Sequence, residues 1–226
     1  MAKIITTLDD FIGYVNTLYN ASSTAPTSGE EDYLVWTSLG NIAVNLWENE
    51  EGILWNELFV KLVDAPDGDK TTVAGQYSYD VPALFKFPAS GYVWIGSGVN
   101  KKAYKVIKQQ EKQLRENDIE HWCYFLMDGS PTLEFNPNTE ILGGETIEYG
   151  YYKTATKLST GSSAFEMSDP MFAVYYAIAE LKKEEGNANE LQIVSQKLAA
   201  MKTRNDMPAW YQEDSFTNKT ESGFGV

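Results

Sequence analysis

Cysteine and histidine are nearly missing from this chain: Cys123 and His121 are the only examples in 226 residues. One cysteine excludes an intrachain disulfide framework and is compatible with a reducing compartment. Two residues cannot make a zinc site, which takes four ligands. As alternate residues of an expected strand they share a face, yet a nucleophilic pair also needs a third group to orient it. We read both as structural. Basic residues are scarce too, 18 against 32 acidic ones, for a net charge of -14 and a pI near 4.5. That balance disfavours a surface built to grip nucleic acid or an anionic membrane. No apolar run approaches the ~20 residues of a membrane span. The opening Met1-Ala2-Lys3-Ile4-Ile5 turns polar too soon for a signal peptide. No internal repeat or extended low-complexity segment stands out.

What is present is hydrophobic and aromatic: 43% and 13% of residues, enough for a real core. Thr7 with Asp10 three residues on reads as a helix start. Leu8, Phe11, Ile12, Val15, Leu18 and Tyr19 supply the apolar stripe of a helix over 8–19. After a Ser/Thr/Pro-rich loop, Glu30-Glu31-Asp32 open a second helix, where the dipole favours negative charge. Leu34, Leu39, Ile42, Ala43, Leu46 and Trp47 carry it to about Glu51. From Gly52 the period changes. Short aromatic and β-branched runs over 55–63, 76–81, 84–87, 92–95, 103–107, 122–127 and 132–135, bounded by Gly, Pro, Asn or Asp, read as antiparallel strands.

The stretch the chain is organised around runs from Thr146 to Arg204. Ile147, Tyr149 and Tyr151 alternate on one expected strand over 146–153. Asp169-Pro170 then signals a helix start, and Met171, Val174, Tyr175, Ile178 and Leu181 form its stripe. Gly186 suits a left-handed cap, and Asn187 with Glu190 reads as a capping box for a last helix. Leu191, Val194, Leu198 and Met201 are its seam. The expected class is α+β. Residues 1–52 and 154–205 form a helical bundle from both chain ends, 53–153 an inserted antiparallel β subdomain, and 206–226 an extended C-terminal tail.

Chemistry-bearing patterns are sparse. Asp64, Asp67 and Asp69 lack the spacing of a calcium loop and read as a turn. Gly96-Ser97-Gly98 with Lys101 and Lys102 lacks the phosphate-loop spacing and reads as a connection between strands. No carboxylate pair can be placed across a cleft, so the expectation is no catalytic residue, no metal, no cofactor and no enzyme. Lys101, Lys102, Lys105, Lys108, Lys112 and Arg115, against Glu111 alone, make a locally basic segment in an acidic chain. It is either a solvated loop or a contact for a neighbouring subunit or DNA. The tail has no periodic stripe yet carries Trp210, Tyr211, Phe216 and Phe224. It reads as a frayed terminus or as a segment that orders on a partner.

On these residues the chain resembles the head-to-tail adaptor family of tailed bacteriophages, the connector or tail tubular ring proteins beneath the portal. The similarity lies in the acidic helices around Tyr33 to Glu51, in Gly75-Gln76-Tyr77-Ser78-Tyr79-Asp80-Val81-Pro82 with Phe85, and in Ile147-Glu148-Tyr149-Gly150-Tyr151-Tyr152. Leu158-Ser159, Asp169-Pro170-Met171-Phe172 and Glu184-Glu185-Gly186-Asn187-Ala188 continue it. The resemblance implies a structural virion protein, assembled in the host cytoplasm and seated in the neck. There a closed ring of about twelve copies extends the portal channel. Its implied partners are the portal protein, neighbouring adaptor subunits and downstream tail or neck proteins. Double-stranded DNA passes without specific binding, and no membrane is involved. The tail aromatics are the implied anchors on portal or the adjacent ring. The alternative expectation is a ligand- or carbohydrate-binding module using exposed aromatics of the β region. A third is an enzyme with a carboxylate pair.

Overall fold

The computed structural model describes residues 5–206, apart from Glu116 and Asp118. The fold is α+β, with four α-helices and two sheets among the described residues. Contacts divide the chain into two units: Met1–Glu57 with Ala155–Val226, and the intervening Leu58–Thr154.

In the first unit, α1 (Leu8–Tyr19) starts at a full capping box. The Thr7 hydroxyl accepts from Asp10 N–H at 3.2 Å, and the Asp10 carboxylate accepts from Thr7 N–H at 3.0 Å. The helix buries Leu8, Phe11, Ile12 and Val15. Helix α2 (Glu31–Glu48) ends three residues before the expected Glu51 and is apolar nearly all round. Tyr33, Trp36, Gly40, Ala43, Val44 and Trp47 point inward, while Leu34, Ile42 and Leu46 are exposed. The aromatic face wins because Gly40 admits close packing: a Cβ there would sit 3.2 Å from the Phe11 ring and 3.3 Å from Leu158. Trp47 stacks on Trp55 with ring centroids 5.3 Å apart.

Helix α3 (Met171–Leu181) packs against α1, α2 and α4 (Ala188–Asn205). With neighbours on three sides it buries Phe172, Ala173, Val174, Ala177, Ile178 and Ala179, more than the one stripe expected. Its small residues allow three helices to approach at once. Pro170 already has helical dihedrals, and Asp169 Oδ1 accepts from Met171 N–H at 3.2 Å. The capping box at α4 does not form. Asn187 instead donates to the Ala179 carbonyl at 2.8 Å, and Glu190 pairs with Lys182 at 2.9 Å, so both side chains turn to α3. Of the expected α4 seam only Met201 is buried. The helix is held instead by polar ties: Lys197 to Asp169 at 3.0 Å, Lys202 to Glu50, and Asn205 to Leu54 O at 2.9 Å.

The second unit holds β1 (Phe59–Lys61), β2 (Ser78–Asp80), β3 (Phe85–Pro88), β4 (Tyr92–Ile95), β5 (Lys102–Val106), β6 (Trp122–Leu126), β7 (Thr132–Phe135), β8 (Ile147–Glu148) and β9 (Gly150–Lys153). One sheet has the order β1-β9-β3, the other β2-β7-β6-β5-β4-β8. The single strand expected over 146–153 is in fact two. β8 joins the larger sheet and β9 is central in the smaller, with buried Tyr149 between them. Tyr149 packs edge-on against Phe85 and Phe125 in the shared core. The region is not wholly antiparallel either: β5 and β6 pair in parallel, Lys105 opposite Trp122. The connection over 107–121 is long enough for the crossover that a parallel pair needs.

Candidate interaction surfaces

The residues that could carry chemistry have structural employment. Cys123 is fully buried, and burial pushes its thiol up out of the reactive range. His121 lies outside β6 and is exposed, so the expected common face for His121 and Cys123 is not what forms. The strand begins only at Trp122, and His121 turns edge-on to the Tyr104 ring instead. Asp69 accepts from Asp80 N–H at 2.8 Å and Asp67 from Ala83 N–H at 3.1 Å. These carboxylates shape the turn they stand in. No group of three or more His, Cys, Asp or Glu able to hold a metal ion occurs among the described residues. None of their helices is long and apolar enough to cross a membrane.

Three surfaces remain. The first is the outward face of α2. Leu34, Val35, Ile42 and Leu46 are 59%, 42%, 45% and 47% exposed, and half-buried Leu39 lies between them. Val35, Leu39, Ile42 and Leu46 follow the four-three-four spacing of a helix seam that packs on a partner. Acidic side chains bracket it, with Glu31 and Asp32 in the first turn and Glu51 just beyond the end. From Ile5 to Val60 every charged residue is acidic. Single exposed leucines need no explanation, but a continuous stripe on a helix whose other face is already packed does.

The second is the basic segment. β5 presents exposed Lys102 and Lys105, and Lys108 follows. Lys101 is engaged with Glu148 at 2.5 Å, Arg115 lies 3.5 Å from Glu120, and Lys112 donates to the Tyr124 hydroxyl at 3.1 Å. Of the six basic residues expected to act together, Lys101, Lys112 and Arg115 are therefore tied within the unit. Lys102, Lys105 and Lys108 are the ones turned outward without an ion pair among the described residues. In the same stretch of chain Val99, Leu114 and Ile119 are 100%, 86% and 82% exposed.

The third is a groove of about 460 Å³ lined by Phe59, Leu62, Val63, Trp94, Glu148 and Tyr149, among others. Antiparallel β4 turns Tyr92 and Trp94 outward and Val93 and Ile95 inward. Gly150 lets β1 close on β9: a Cβ there would lie 2.6 Å from the Phe59 ring. The alternation of Tyr92 and Trp94 was a readable sign of this shelf. Which face of α2 goes inward was not readable, because the helix carries apolar residues nearly all round. The tail aromatics Trp210, Tyr211, Phe216 and Phe224 lie outside the described residues.

No protein-family model matches the chain, and no curated protein matches its sequence.

Proposed function

We propose that this protein is a structural adaptor of a phage neck. It forms a ring, of about twelve copies in a closed cyclic arrangement, beneath the portal. In this reading the helices from both chain ends make one rigid bundle, the β unit is inserted into it, and residues 206–226 attach it to portal or an adjacent ring. The observation that carries the reading is the apolar stripe on α2, a packed helix with a second face ready for a protein partner. The acidic surplus supports it as well, because carboxylates along a channel repel phosphates and let DNA slide. The test is electron microscopy of the full chain mixed with recombinant portal rings. Added density beneath the portal is the expected result, and free portal at saturating adaptor would refute the reading. Replacing Trp210, Tyr211, Phe216 and Phe224 by alanine together should leave the far-ultraviolet circular dichroism unchanged and abolish attachment.

A ligand-binding module is the second reading, supported by the groove at Phe59 and Trp94. Aromatic walls with one nearby carboxylate suit a sugar or another flat polar ligand. Saturable quenching of tryptophan fluorescence by oligosaccharides, lost on Trp94→Ala, would favour this module over the ring.

A further inference from the structure

We propose that in the free subunit residues 210–216 occupy that subunit's own groove at Phe59 and Trp94, and that attachment to portal draws the tail out of it. The proposal deepens the ring reading and rests on it for the second step. Its first support is reach. At the end of α4 the Asn205 carboxamide accepts from Asn56 N–H at 2.8 Å and donates to Leu54 O at 2.9 Å, and the Asn56 side chain donates to Asn205 O at 3.0 Å. Phe59, in the groove wall, comes three residues after Asn56. Three residues span at most about 11 Å, whereas the chain from Asn205 spans up to about 17 Å at Trp210 and about 36 Å at Phe216. Chain length alone therefore brings this stretch within reach of the groove, however the two units are turned. So short a tether gives an effective concentration of about millimolar, and a subunit's own groove fills before a neighbour's.

The second support is the choice between two apolar berths. The α2 stripe is bracketed by carboxylates, with no basic residue anywhere from Ile5 to Val60. Residues 207–226 carry Glu213, Asp214 and Glu221 against Lys219 alone, so on α2 they would meet like charge. The groove has the opposite balance. Glu148 is the one carboxylate among its lining residues, and it is paired with Lys101. Exposed Lys61, also in the lining, then sets the sign. Lys105 adds to it: it stands opposite Tyr92 on β5, on the outward face that Tyr92 shares with Trp94. Glu213 and Asp214 lie between Trp210-Tyr211 and Phe216, an acidic pair between aromatic anchors. Phe59, Val63 and Trp94 offer those anchors exposed apolar walls. A tail held there presents no aromatic residue to portal, so the apparent affinity for portal is lowered by the fraction of tail released.

The experiment places a photoreactive side chain in the groove wall, Val63→p-benzoylphenylalanine, in the full chain at low concentration and without portal. Unlabelled and isotopically heavy copies are mixed in equal amounts. Irradiation should join position 63 to the tryptic peptide 205–219 within 210–216, light to light and heavy to heavy. Glu213→Lys with Asp214→Lys should lower the yield several-fold, and adding Lys61→Glu should restore part of it. Saturating portal rings should lower the yield of the parent several-fold as well. Products joining a light copy to a heavy one, cross-links to other residues only, or no cross-link would each overturn the berth. A yield unchanged by bound portal would overturn the exchange. Portal attachment by electron microscopy is read separately: an adaptor that binds portal without this cross-link refutes the berth and leaves the ring reading standing. A cross-linked tail with no attachment to portal refutes the ring reading and the exchange, and leaves the berth.

Discussion

Asn41 ties the two ends of the chain together, and its removal should be costly. Its side-chain amide donates to the Leu158 carbonyl and its oxygen accepts from the Leu158 N–H, each at 2.9 Å. The two residues are 117 apart in sequence, and Leu158 is 3% exposed. Asn41→Ala would leave a buried N–H and a buried C=O without partners. At about 1–2 kcal/mol per stranded group, the loss should be about 2–4 kcal/mol. That is a large fraction of the ~5–15 kcal/mol that holds a domain folded. Urea unfolding followed by tryptophan fluorescence is the assay, because Trp36, Trp47 and Trp55 are all buried in this unit. Hydrogen exchange should show the same loss of protection in α3, which packs on α2. Asn41→Asp is a sharper variant: it keeps the acceptor for Leu158 N–H but sets a carboxylate oxygen against the Leu158 carbonyl. It should be at least as destabilising as alanine, although it is nearly isosteric. Exposed Ser38→Ala on the same helix should stay within about 0.5 kcal/mol of the parent. If Asn41→Ala also stays within that margin, the paired backbone bonds are not what fastens α2 to the segment before α3.

Three further perturbations test other parts of the structure. Gly150→Ala should destabilise the β unit by about 1–2 kcal/mol through overpacking against the Phe59 ring, and adding Phe59→Ala should relieve part of that loss in a double-mutant cycle. Cys123 should resist a thiol reagent in the native protein and react at the rate of unfolding in urea; rapid native-state labelling would contradict its burial. Asp10 has its pKa held below the usual value, chiefly by the Thr6 N–H and then the Thr6 hydroxyl, which donate to its carboxylate. A lowered folded pKa contributes stability above the unfolded value of about 4, and that contribution is lost as pH falls through the folded one. Asp10→Asn should therefore flatten the acid limb of α1 unfolding, and an unchanged acid limb would show that the box does not matter there.

Local signals were the legible ones. The bounds of α1 could be read because Thr7, Asp10 and the stripe that follows are near neighbours in sequence. β4 could be read from Tyr92 to Ile95 for the same reason. Features decided by distant partners were hidden. Asn187 and Glu190 have the spacing of a capping box, but Ala179 O and Lys182 compete for them and win. The division at Tyr149 depends on two sheets meeting, since β8 bonds to β4 while β9 lies between β1 and β3. An alternating run contains no mark of where such a switch occurs. The candidate site divides the same way. The basic character of 101–115 is visible in composition, but which lysines are spent on Glu148 and Tyr124 is a tertiary matter.

Two apolar faces of α2 compete for the core. Tyr33, Trp36, Gly40, Val44 and Trp47 recur at three-four-four-three spacing and are buried, while Leu34, Ile42 and Leu46 stay exposed. Bulk decides the contest: three large aromatic residues remove more apolar surface from water than the leucines do, at about 25 cal/mol per Å². Gly40 favours the same outcome, since a Cβ there would sit 3.2 Å from the Phe11 ring, tighter than ordinary packing. Once the aromatic face is committed inward, the stripe of Val35, Leu39, Ile42 and Leu46 is left at the surface, only partly covered. Exposed apolar area of that regularity lowers solubility unless a partner covers it. Polar substitution should separate the two roles. Ile42→Asp with Leu46→Asp should leave the urea midpoint of the full chain nearly unchanged and abolish cross-linking between copies placed next to each other on portal. A loss of fold stability as large as that of Asn41→Ala would mean that α2 uses this face inside its own subunit after all.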